Sequence, residues 1–170
     1  MGKDEMKLLY LDLETTGVDR QNCAIHEVAA IMEIDGKIVD KIHLKMAPFK
    51  GAVIEQGAIE HAKLDPELIQ TYPDQREQFN KFITFLDKHC DRFDKIDKMF
   101  VTGYNVNFDT DFIRMWFSRN TNSFYGSYFW SSNIDVMVLA AEFLRDIRSM
   151  MENFKLATVY GAFETLGLLT

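Results

Sequence analysis

The sequence predicts an α/β fold, a mixed β-sheet flanked by helices, from three observations. Strand-like and helix-like segments alternate along its 170 residues. Two of the strands are joined by a tight Asp-Gly turn, so part of the sheet is antiparallel. Later strand–helix units supply layers that must pack against that sheet. The length is that of one domain, and with 47% hydrophobic residues and 14 phenylalanines the chain can build one substantial core.

The elements follow in order. Residues 7–13, "KLLYLDL", read as a central strand. "HEVAAIMEIDGKIVDKIHLKM" reads as two strands joined at Asp35-Gly36, because both turn positions tolerate positive φ. Residues 48–53 form a loop, and helical stretches are expected over 54–61, 65–69 and 75–90. "KMFVTGYN" is a second apolar strand ending at Asn105. Phe108, Phe112, Met115 and Trp116 then recur three to four apart, which is helical spacing. "RNTNSFYGSYFWSSN" reads as a polar and aromatic loop, and helices over 135–145 and 153–166 complete the chain. No internal repeat, low-complexity tract or linker interrupts it.

Composition narrows the function classes. Cys23 and Cys90 lie far apart without a C-x-x-C pattern, which fits a reducing compartment rather than a disulfide scaffold. The start, "MGKDEMK", has no apolar targeting segment, and no stretch reaches transmembrane length, so the expected location is cytoplasmic, with no membrane partner. The formal net charge of −7 argues against wrapping nucleic acid by bulk electrostatics. It leaves room for an enzyme that meets a few phosphates locally while metal ions cancel its acids.

The chemistry begins at "LLYLDLETTGVD". Alternate side chains of a strand share a face, so Asp12 and Glu14 project together, opposite Leu11 and Leu13. Two adjacent carboxylates repel, and burying one without a partner costs several kcal/mol. Arg20, past Gly17, cannot readily serve both. A divalent cation with oxygen ligands, Mg²⁺ or Mn²⁺, resolves the conflict. The plainer alternative is a strand ending at Leu11 with two solvated loop acids, and a lone D-x-E is weak evidence against it. The following "TTG" adds weight, because two small donors and a glycine set backbone N–H groups where a chain end could dock.

"LDLETTG" resembles the first motif of the DEDD 3′→5′ exonuclease superfamily, the group of the DNA polymerase III epsilon subunit, ribonuclease T and oligoribonuclease. "GYNVNFDTDF" is similar to its second motif, with Asn105, Phe108 and Asp109 in place. "IHEVAAI", "IEQGAIEHAKLDPELI" and "SNIDVMVLA" match the layout between and after. The resemblance implies a ribonuclease-H-like sheet and two divalent ions, Mg²⁺ or Mn²⁺. Asp12 would bridge both, Glu14 would hold the ion that activates water, and Asp109 the ion at the leaving oxygen. Such pairs clamp both oxygens of an in-line phosphoryl displacement. Thr15, Thr16, Asn105 and Phe108 would meet the substrate, a single-stranded 3′ end of DNA or RNA, shortened by one nucleoside monophosphate at a time. A DNA polymerase or replication protein is an implied partner. Asp109 near a helix N-terminus is favoured by the dipole. Asp111, two residues on, reads as a solvated acid of the first turn.

One departure qualifies this. The third motif, H-x-A-x-x-D in the histidine branch, does not occur in "NFKLATVYGAFETLGLLT", so the expected single exonuclease domain over 1–170 reads as ending before it. His26, His43, His61 and His89 lie far from that motif's place and read as structural or surface residues. Tyr160 with Glu164 imitates the tyrosine branch's Y-x-x-x-D, Glu replacing Asp. The competing reading is a catalytically incomplete module that binds nucleic acid or a polymerase without cleaving. Two further features bear on substrate: Lys37, Lys41, His43 and Lys45 on one strand face, and the aromatic cluster Phe124, Tyr125, Tyr128, Phe129 and Trp130. The first more simply protects a sheet edge against pairing. The second divides between packing and base stacking.

Overall fold

The computed structural model describes residues 5–61, 63–121 and 124–168; the side chain of His61 and the end of the chain at Thr170 lie outside them. Five strands form one sheet in the order β3-β2-β1-β4-β5. They are β1 (Lys7–Thr15), β2 (Ile25–Ile34), β3 (Lys37–Lys45), β4 (Phe100–Gly103) and β5 (Ile134–Asp135). β2 runs antiparallel to both β1 and β3, whereas β4 pairs parallel with β1 and β5 parallel with β4. The sheet is mixed, as the hairpin and the strand–helix units require. At the turn Asp35 has φ 49° and Gly36 φ 77°. Both central residues are left-handed, so the turn's twist matches that of its strands.

The helices are α1 (Gln56–His61), α2 (Pro66–Gln70), α3 (Gln75–Asp87), α4 (Val106–Arg119), α5 (Tyr125–Tyr128), α6 (Val136–Phe143) and α7 (Leu156–Thr165). Asp65 and Asp74 cap α2 and α3 by accepting backbone N–H bonds from their first turns. Leu9, Leu11 and Leu13 of β1 and Val28, Ala30 and Met32 of β2 meet Phe82 of α3 and Phe112, Ile113 and Trp116 of α4 in one core. Phe79 meets Trp116 edge-on, with ring centroids 5.1 Å apart. Each large apolar side chain buried there contributes roughly 1.5–3 kcal/mol. A smaller cluster of Ala140, Leu144 and Val159 joins α6 to α7, packed by Tyr104, Phe154 and Phe163.

The structure corrects the expected aromatic loop. It contains α5 and leads into β5, and Tyr125, Tyr128 and Phe129 are buried in the main core. A two-residue edge strand and a four-residue helix are too short for periodicity to reveal. Among the described residues no helix is long and apolar enough to cross a membrane.

Candidate active site

Beta1 runs through both acids and ends at Thr15, so they are strand residues and not loop acids. Leu11 and Leu13 are only 5% and 8% exposed, while Asp12 and Glu14 stand on the open face beside Tyr10. On β2 the same alternation buries His26, Val28 and Ala30 and leaves Glu27, Ala29 and Ile31 outward.

The pairing of β4 with β1 stops at Tyr10–Thr102. Just beyond, the buried Asp109 accepts a hydrogen bond from the Leu13 N–H at 3.2 Å through Oδ1. A residue 96 positions away along the chain thus reaches the backbone between Asp12 and Glu14. Two features place it there. Gly103 passes so close to β1 that a Cβ would lie 3.0 Å from the Leu11 carbonyl oxygen and 3.2 Å from Val106 Cγ2. Asn105, left-handed at φ 58°, turns the chain from β4 into α4. Its N–H donates to Asp135 Oδ1 at 3.1 Å, and that oxygen also caps α6 by accepting from the Met137 N–H.

The acids act on one another. Burial, then repulsion from Asp12, pushes Asp109 up to about 7; the Leu13 N–H pulls the other way, and Glu14 adds a further upward push. Burial raises Asp12, with Glu27 adding to it. Glu14 is raised by burial, then by Asp12 and Glu27. Glu27 stands directly opposite Glu14 in the register, a like-charge pair that destabilises a sheet. Burial works to raise Glu27, but the His43 hydrogen bond and the Lys45 charge outweigh it and leave its pKa lowered.

Arg20 pairs with Asp111 on α4, so Asp111 is an ion-pair partner and not merely a solvated acid. Among the described residues no lysine, arginine or histidine makes an ion pair with Asp12, Glu14 or Asp109. As the side chains stand, no three His, Cys, Asp or Glu groups among those residues are arranged to hold one metal ion. The donors nonetheless suit a hard cation. They are all carboxylate oxygens, they repel one another, and they lack a basic partner.

The loop after β1 is held rigidly. Thr16 is fully buried, donates to the Val53 carbonyl at 2.6 Å and accepts from the Ala24 N–H at 2.9 Å. Its hydroxyl therefore positions the loop instead of facing a substrate. Thr15 donates to the Gly17 carbonyl. A Cβ on Gly17 would come within 2.4–2.6 Å of the Glu55 side chain and Cys23 Sγ, so only glycine fits. Glu55 accepts from the Val18 N–H and the Cys23 thiol, clasping the loop. Asn105 is exposed and makes no cap bond with its side chain; Phe108 is half-buried against Phe112, ring centroids 5.0 Å apart.

Glu27 and the Glu55 clasp were not read from the sequence. For Glu27 a signal exists, since period-two alternation in "HEVAAI" sets it opposite the apolar face. Its nearness to Glu14 depends on strand register. Among the histidines, His26 is buried with neither ring nitrogen partnered, His43 meets Glu27, and His89 meets Asp40. Tyr160 and Glu164 are exposed on α7.

The exonuclease family of RNase T type matches residues 9–160. A PolC-type DNA polymerase III from Thermotoga petrophila is 28% identical over 160 residues, covering 94% of this chain and 10% of its own. Ribonuclease T from Photorhabdus laumondii is 27% identical over 116 residues, 62% of this chain and 51% of that one. The chain thus spans about a tenth of the polymerases and about half of the ribonucleases T that it matches. An E. coli exonuclease I structure with a dT13 oligonucleotide superposes with a TM-score of 0.69 at 18% identity, over 92% of this chain and 35% of that one. Exonuclease I in a complex with SSB gives 0.71 at 19% identity, over 92% and 36%. The sheet, its order and its flanking helices are those of the exonuclease I ribonuclease-H-like fold. With two motifs in place and a family match over most of its length, the chain belongs to the RNase T-type exonuclease family of the DEDD superfamily.

Proposed function

We propose that this chain is a single 3′→5′ exonuclease domain that hydrolyses single-stranded nucleic-acid ends with two Mg²⁺ or Mn²⁺ ions and releases nucleoside monophosphates. The observation that carries the reading is the Leu13 N–H bond to Asp109, which draws a buried carboxylate to the strand segment bearing Asp12 and Glu14. Asp12, Glu14 and Asp109 would hold the ions. Bound there, the ions would supply charge for the attacking and leaving oxygens of the phosphodiester. Asn105, Phe108 and Thr15 would form the rim, where a polar amide and an aromatic edge could hold the terminal nucleotide. Thr16 and Glu55 keep the rim rigid, which matters because misplacement of reacting groups is costly in rate. The two cysteines are buried and free, in keeping with a reducing, cytoplasmic setting. The PolC-type relatives favour a DNA polymerase or replication protein as partner.

With Mn²⁺ present, a 5′-labelled single strand should shorten stepwise from its 3′ end, and Asp12→Asn should abolish this. Endonucleolytic fragments or shortening from the 5′ end would reject the reaction. The second reading is a module that binds nucleic acid without cleaving it. Metal-dependent strand binding without hydrolysis would select it. Robust turnover would turn attention to Tyr160 and Glu164, with Glu164→Gln as the next variant.

A further inference from the structure

Away from the acid face, the helical side of the sheet carries a groove of opposite charge. Phe49, Lys50, Arg76 and Arg119 line one cleft of about 320 Å³. A second cleft of about 240 Å³ is lined by Arg92 and Phe124, and Arg76 lines this one too, so the two form one trough. Among the described residues Lys50, Arg76 and Arg119 make no ion pair. Among the described lining residues the one acid, Asp74, is engaged in capping α3 through the Arg76 and Glu77 N–H groups. In a chain of net charge −7, such a local excess of cations favours an anion.

The rings are placed to match. The Arg119 guanidinium lies 4.0 Å from the centroid of Phe49, and that of Arg92 lies 5.6 Å from Phe124. Cations paired with aromatic faces suit a chain that alternates phosphate and base. An acidic peptide would use the charges and leave the rings idle. Arg119 also donates to the Arg20 and Gln21 carbonyls, which joins the trough to the loop leaving β1. Arg119 is ten residues beyond Asp109 on α4, about 15 Å along the helix.

The geometry points to a second binding site, for single-stranded nucleic acid, in which Lys50 and Arg76 meet phosphates several nucleotides upstream of the 3′ end while Phe49 and Phe124 meet bases. The assignment rests on the exonuclease reading for its polarity, since the acid centre fixes where the 3′ end sits. It predicts that affinity grows with strand length until the trough is filled.

The test is fluorescence anisotropy in Ca²⁺ with 5′-fluorescein single strands of about 4 and about 16 nucleotides, the span of common single-strand site sizes. Wild type should bind the longer strand at least about tenfold tighter. Lys50→Glu/Arg76→Glu should lose that length dependence, and its salt slope on the long strand should fall by roughly 1.4, about 0.7 for each lost phosphate contact. Both residues are exposed, and a Glu in the first turn of α3 suits the dipole, so the variant should fold. Equal length dependence and salt slope in the two proteins would overturn the site, as would displacement of the strand by polyglutamate but not by unlabelled oligonucleotide. Cleavage of the shorter strand in Mn²⁺ is read separately. Its absence counts against the active-site reading and leaves the groove to be judged by binding.

Discussion

The two faces of β1 and β2 invite comparison, because one backbone serves opposite ends on them. Inward, Leu9, Leu11, Leu13, Val28, Ala30 and Met32 interlock with the rings of α3 and α4. Outward, Asp12, Glu14 and Glu27 repel one another across the same ladder. The first face stabilises the fold; the second lowers its stability and bears the acids proposed to hold metal. A strand can do both because its side-chain period is two, so adjacent residues never compete for one environment. Asp109 sits at the seam, supplied by α4 from the apolar side but electrostatically coupled to the open one.

The largest expected effect breaks the inward face. Leu9 is fully buried, and Leu9→Ala should cost about 2–5 kcal/mol in urea unfolding. Tyr10→Ala, one residue along but outward, should cost less than half as much. Equal losses would show that the faces are not energetically distinct.

Next comes the seam. Asp109's pKa in the folded protein lies above its unfolded value, so its contribution is fully present below about pH 4 and is lost as pH rises through about 7. Metal-free Asp109→Asn, which keeps an oxygen for the Leu13 N–H, should therefore be more stable than wild type at pH 8, by an amount of order a few kcal/mol. The two should converge near pH 4. Saturating Mn²⁺ should stabilise wild type and not the variant, in a thermal melt with and without metal.

The smallest effect sharpens the inward face at a buried polar side chain on β2. Burial lowers the pKa of His26, with Lys45 adding and Glu27 opposing. The unfolded chain thus binds the proton more readily, and stability present above pH 6.5 is lost as pH falls below it. His26→Leu also removes two unpartnered buried nitrogens. It should gain about 1 kcal/mol at pH 7 and lose less than wild type on going to pH 5. A steeper acid loss in the variant would contradict the assignment of a neutral core histidine.

Much of this was legible in the residues. Alternation placed Asp12 and Glu14 on one face, Asp35-Gly36 fixed the hairpin, and the three-to-four spacing from Phe108 to Trp116 announced α4, because each is a pattern of short range along the chain. "LDLETTG" with "NVNFD" carried the family for the same reason. Only the tertiary structure decided that Asp109 bonds the Leu13 N–H, that Glu27 faces Glu14, that Arg20 is taken by Asp111, and that Thr16 holds a loop. It also decided that the aromatics of the expected loop belong to the core, and that Lys50 and Arg76 share a trough with Arg119. Those are matters of strand register and helix docking, and partners tens of residues apart leave no periodic trace in a sequence.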